Sequence, residues 1–102
     1  MKDANLIYLK HRYGKLFFAI SEILFMDDPI GINYETNTDE YESEVGTILP
    51  RLTSAWSVED VHNIVYEEFV RWFGEEEAGP KDTYGPASAH IWLLWSSISG
   101  RA

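Results

Sequence analysis

The sequence predicts an all-α domain, a compact bundle-like arrangement of about four helices with a long loop after the first main helix. Three observations carry this expectation. Apolar residues recur three and four positions apart in several stretches, as they do on one face of a helix. Glycine and proline punctuate the chain at the ends of those stretches. No segment sustains the period-two alternation of a half-buried strand, so no sheet is expected.

The first stripe runs through Leu6, Leu9, Tyr13, Leu16, Ile20 and Ile23. Gly14 interrupts it, and glycine inside a helix costs about 1 kcal/mol against alanine. Residues 15–26 are therefore expected to be helical, with residues 1–13 an N-terminal extension or separate helix. Asp28-Pro29 ends the helix, because the residue before proline is pushed out of the α region. Asp28-Pro29-Ile30-Gly31 has turn chemistry: Asp28 can bond its own turn, Pro29 presets φ and Gly31 permits a positive φ.

A polar loop through Asn37 leads to the second helix. Asn37 or Thr38 can cap it, and Asp39, Glu40 and Glu42 fall where the helix dipole favours negative charge. Tyr41, Val45, Ile48, Leu49 and Leu52 form its expected buried stripe, and Pro50 should end or kink it. Ser57-Val58-Glu59-Asp60 resembles a capping sequence for a third helix running to about Phe73. Val61, Ile64, Val65, Phe69, Trp72 and Phe73 share one face there, with Gly74 as the stop. Glu75 to Gly85 is expected to be a loop. Pro86 suits the first turn of a last helix, which should carry Ile91, Leu94, Trp95 and Ile98 inward before Gly100 ends it.

The chain's 102 residues fit one domain, 1–102. At that length folding buries roughly 65% of the extended chain's surface, and 45% hydrophobic with 15% aromatic residues can supply the core. There is no cysteine, hence no disulfide, thiolate metal site or cysteine nucleophile. Basic residues do precede the apolar stretch Leu16 to Phe25, but Ser21 and Glu22 interrupt it and no small-x-small cleavage site follows. A cytoplasmic protein with neither leader nor membrane span is expected.

The formal charge is −9. It is unevenly spread: Lys2, Lys10, Arg12 and Lys15 against Asp3 put residues 1–15 at +3 and the remainder at −12. Such a body repels phosphate backbones, so nucleic-acid binding is not expected. A basic protein partner suits it, although an acidic surface also serves plain solubility.

No catalytic motif stands out. The histidines His11, His62 and His90 lie in different elements and outside any zinc spacing. Asn33, Glu35, Asn37, Asp39 and Glu44 match the ligand offsets of a calcium loop, but Thr38 occupies the position that needs glycine, so no metal or cofactor is expected. Acid pairs such as Asp27/Asp28, Glu42/Glu44 and Glu67/Glu68 point in different directions on helices rather than into one cleft. The serines lack a nucleophile elbow. Trp92 falls off the stripe of the last helix, which suits either a contact surface or cover from the preceding loop.

Asp28-Pro29-Ile30-Gly31-Ile32, then Tyr41 and Glu44 within residues 39–45, then the acidic helix Val58 to Phe73 resemble the YugE-like family of small bacterial helical proteins. The resemblance covers roughly residues 15–75. It implies a compact α-helical fold and supplies no activity. The resulting expectation is a non-enzymatic protein-interaction domain, for instance an immunity or inhibitor protein that masks a basic partner. Its contact residues would be Glu40, Glu42, Glu67, Glu68, Glu75, Glu76, Glu77 and Trp92. The alternative is a small ligand-binding or enzymatic domain built on Asp28, Pro29, Gly31, Tyr41 and Glu44. The opposite charges of residues 1–15 and the body suit either docking of that segment on its own acidic face or a homodimer, and the apolar content of residues 6–13 together with off-stripe Trp92 tilts the expectation towards a homodimer.

Overall fold

The computed structural model describes residues 11–27 and 41–100. Among these the chain is helical with no strand: α1 is Lys15–Asp27, α2 is Glu42–Ile48, α3 is Val58–Ala78 and α4 is Gly85–Ser99. Two 3-10 turns, Leu49–Ser54 and Lys81–Tyr84, join them. The all-α, bundle-like expectation is met. α1 packs on α2 and α4, and α3 packs on the same two helices, so the four enclose one core. No helix among the described residues is long and apolar enough to cross a membrane.

His11–Tyr13 are helical, and Gly14 at φ +49 separates them from α1, where the sequence placed the break. α1 buries Leu16, Phe17, Ile20, Ser21 and Leu24. Its buried face is therefore rotated from the expected one: Phe17 and Leu24 are inside, while Ile23 only packs at the edge of the core. A stretch as apolar as Leu16–Phe25 offers two candidate stripes, and packing on α2 and α4 selects one of them. The Asp28-Pro29-Ile30-Gly31 turn, Glu40 and the calcium-like frame up to Tyr41 lie outside the described residues.

α2 follows its sequence closely, with Tyr41, Val45, Ile48, Leu49 and Leu52 all fully buried. Pro50 lacks the N–H an α-helix would use, and the chain tightens from α-helix into a 3-10 turn at that point. Ser57 caps α3 as expected. Its hydroxyl accepts the Asp60 N–H at 3.1 Å while Asp60 Oδ2 accepts the Trp56 N–H at 2.9 Å, a reciprocal arrangement displaced by one residue from the usual box.

The end of α3 differs from expectation. Gly74 takes φ +85 and ψ 159, so the helix axis breaks there, yet Glu75 to Ala78 resume a further helical turn. That backbone region is open to glycine alone. No atom lies within 4 Å of where a Cβ would stand, so the cost of a side chain at this position is purely conformational. Gly74→Ala is expected to lower stability by about 1–3 kcal/mol in urea unfolding, with no cavity or clash involved. An unchanged midpoint would mean the break at Gly74 is absent in solution.

The segment expected as a loop, Glu75 to Gly85, is thus mostly helical, because two residues tie it down. Ala78 and Tyr84 are both buried, and the Tyr84 hydroxyl donates to the Ala78 carbonyl. His62 Nε2 meets the Lys81 carbonyl at 2.7 Å, and Lys81 Nζ donates to Asn63 Oδ1, so the second 3-10 turn is stitched to α3. Trp72, expected inside, is instead at the surface, with its indole N–H donating to Thr47 Oγ1 at 3.0 Å. Ile98 is likewise 58% exposed: Ser97 to Gly100 all face solvent, so the last turn of α4 extends past the core.

Tyr84 stacks at 4.8 Å from Phe69, and burial, helped by the neighbouring Tyr66 phenol, pushes its hydroxyl up to about 12. The ordinary value is 10.0, so above that pH the unfolded chain loses a proton that the folded one keeps. Stability is then full below about pH 10 and falls as pH rises from about 10 to 12, by about 2–3 kcal/mol in total. Tyr84→Phe is expected to lose about 1–2 kcal/mol at neutral pH, with the carbonyl of Ala78 left unmatched, and to flatten that alkaline slope. Urea midpoints measured between pH 8 and 12 for both proteins check this, and equal slopes would exclude Tyr84 as the titrating group.

Candidate functional site

The break at Gly74 shapes an acidic surface. Glu75, Glu76 and Glu77 follow it on a single turn, all three exposed. Together with Phe73 and Gly74 they line an open groove of about 610 Å³. Phe73 is half-buried, its ring 5.8 Å from that of Phe69, so the same side chain packs on the core and lines the groove beside the carboxylates. Among the described residues none of Glu75, Glu76 and Glu77 takes part in an ion pair.

The other expected contact residues divide differently. Glu67 is exposed but paired with Arg51 at 2.7 Å. Glu68, expected on the acidic surface, is buried: its Oε2 accepts from Arg51 Nη1 at 2.8 Å and faces Arg71 Nη2 at 3.6 Å. Adjacent positions on a helix point about 100° apart, which sends one carboxylate outward and the other under the 3-10 turn. Hydrogen bonding to Glu67, and to Glu68 after it, raises the Arg51 pKa despite burial, so the guanidinium stays charged. Glu42, at the start of α2, lines a separate groove of about 240 Å³ with Phe18, Ser21 and Glu22. Trp92 is half-buried and packs against the core.

The turn-based site is represented here by two residues. Tyr41 is fully buried with its ring 5.8 Å from Phe69, and Glu44 is also buried. Both belong to the interior of the bundle. Asp28, Pro29, Gly31 and Glu40 lie outside the described residues. Among the described residues no three His, Asp or Glu side chains gather closely enough to hold a metal ion. His90 lines a groove of about 460 Å³ with Glu22, Ile23, Met26 and Asp27, where α4 begins beside the end of α1.

Compared with family models, curated proteins and solved structures, the chain matches none. The functional reading therefore rests on the surface itself. Sequence reasoning identified Glu75 to Glu77 but took Phe73 for pure core and Gly74 for a simple stop. The signal available was the Gly-Glu-Glu-Glu run directly after an aromatic pair, Trp72-Phe73, which marks carboxylates held next to apolar surface.

Proposed function

We propose that the protein is a binding module that engages a basic protein partner through the Phe73–Glu77 surface, as an inhibitor or immunity protein does. The observation that carries this reading is the exposed Glu75–Glu77 triplet, which takes part in no ion pair among the described residues and stands on its own turn beside Phe73. A lysine or arginine side chain would match both parts, its aliphatic stem on Phe73 and its charge among the carboxylates. The chain's charge of −9 would speed encounter with such a partner through long-range attraction. Trp72 at the margin adds the kind of half-exposed aromatic that anchors interfaces. Membership of the YugE-like family, proposed from the Asp28–Ile32 turn with Tyr41 and Glu44, adds no activity to this reading.

The test is titration calorimetry with an Arg/Lys-rich peptide at physiological salt. Glu75→Gln/Glu77→Gln should weaken binding about tenfold, whereas Glu59→Gln/Asp82→Asn, an equal change of charge at other exposed acids, should weaken it about twofold or less. Equal losses from the two pairs would reduce the effect to net charge and remove the site.

A further inference from the structure

α1 presents to solvent a face opposite the one it buries. Phe18 is 51% exposed and Met26 73% exposed, and Lys15 and Glu22 stand exposed between and beside them. Lys15, Phe18, Glu22 and Met26 are three or four positions apart, so they form one strip along the helix. The apolar surface continues across the groove at Met26 and His90 to α4, where Leu93, one turn after His90, is 66% exposed. Charge along the strip is ordered, with a base towards the start of α1, an acid towards its end and Phe18-Ala19 between them.

That order is self-complementary. Lys15 and Glu22 are equally far from the midpoint between Phe18 and Ala19, about 5 Å either way at the helical rise. A second α1 laid antiparallel across this midpoint brings Lys15 opposite the partner's Glu22 and Glu22 opposite the partner's Lys15, with Phe18 over the partner's Ala19. A parallel arrangement sets like charges against each other. We infer that α1 is the contact face of a two-fold homodimer, in which two symmetric Lys15–Glu22 pairs flank a Phe18/Ala19 centre. The interface is isologous, as two-fold contacts require, and lies at the small end of the range, so association is weak. It is independent of the Phe73–Glu77 surface, because it uses a different helix.

Sedimentation equilibrium of the full chain tests it. The wild type should pass from monomer to dimer over about 10 µM to 1 mM at low salt, with the transition moving to higher concentration as salt rises. Lys15→Glu and Glu22→Lys should each weaken self-association by about tenfold or more, since each opposes like charges twice. Mixing the two single variants should restore association as a heterodimer, and the double variant Lys15→Glu/Glu22→Lys should dimerise as the wild type does. Both side chains are exposed, so the thermal midpoints should stay at the wild-type value. A wild type that remains monomeric to 1 mM, or single variants that do not rescue each other when mixed, would overturn the proposal, including in favour of a different partner for this face.

Discussion

Phe69→Ala is expected to be the most damaging single substitution in the chain, costing about 3–5 kcal/mol. Phe69 is fully buried, and its ring meets Tyr84 at 4.8 Å, Tyr41 at 5.8 Å and Phe73 at 5.8 Å. One side chain thus joins α3 to the start of α2 and to the second 3-10 turn. Removing it leaves a cavity between elements that cannot all move inward together, and it also breaks three aromatic contacts. Against a total stability of roughly 5–15 kcal/mol for a domain, such a loss populates the unfolded state visibly. Urea unfolding followed by circular dichroism measures it. A cost under about 1.5 kcal/mol would mean that Phe69 does not sit at the junction.

Arg51→Ala should be the second largest, at about 2–3 kcal/mol. Glu68 is 1% exposed, and its Oε1 is buried with no hydrogen-bond partner among the described residues. Without Arg51 the carboxylate keeps only Arg71, at 3.6 Å on a side chain that is 73% exposed. Breaking a fully buried pair by deleting one partner costs about 3–5 kcal/mol. The 36% exposure of the Arg51 side chain lets water screen part of that, hence the lower figure. Replacing both residues, as in Arg51→Met/Glu68→Met, should cost less than Arg51→Ala alone, because no charge is then left buried. A double-mutant cycle on thermal or urea unfolding decides it. If Arg51→Ala falls within about 0.5 kcal/mol of wild type, the knot contributes nothing to the fold.

The contrast between Glu67 and Glu68 shows what was legible in the sequence. The two acids are neighbours and look equivalent there. What separates them is Arg51, 17 positions before Glu68, brought near only when the first 3-10 turn packs on α3. Local patterns, by comparison, were readable. Ser57 and Asp60 mark their cap by spacing, Pro50 marks the change of helix type, and the Tyr41 to Leu52 stripe is apolar on one side only. Ile98 is in phase with Ile91, and periodicity carries no information on where a helix outruns its neighbours. Gly74 was legible as a break but not as a hinge between two helical stretches. The second stretch forms because Ala78 and Tyr84 reach the core, a tertiary condition rather than a local one. The acidic triplet was visible as charge, and the part Phe73 plays beside it was not, because the same side chain packs on the core and lines the groove.

The proposed function turns on whether a basic partner touches that groove, and amide chemical-shift mapping answers it most directly. With uniformly nitrogen-15-labelled protein titrated by the Arg/Lys-rich peptide at physiological salt, the largest shifts should fall on Phe73 to Ala78 and on the Trp72 indole N–H, saturating at one site. Shifts scattered over Glu22, Glu59 and Asp82 as much as over Glu75 to Glu77, or none that saturate, would contradict it.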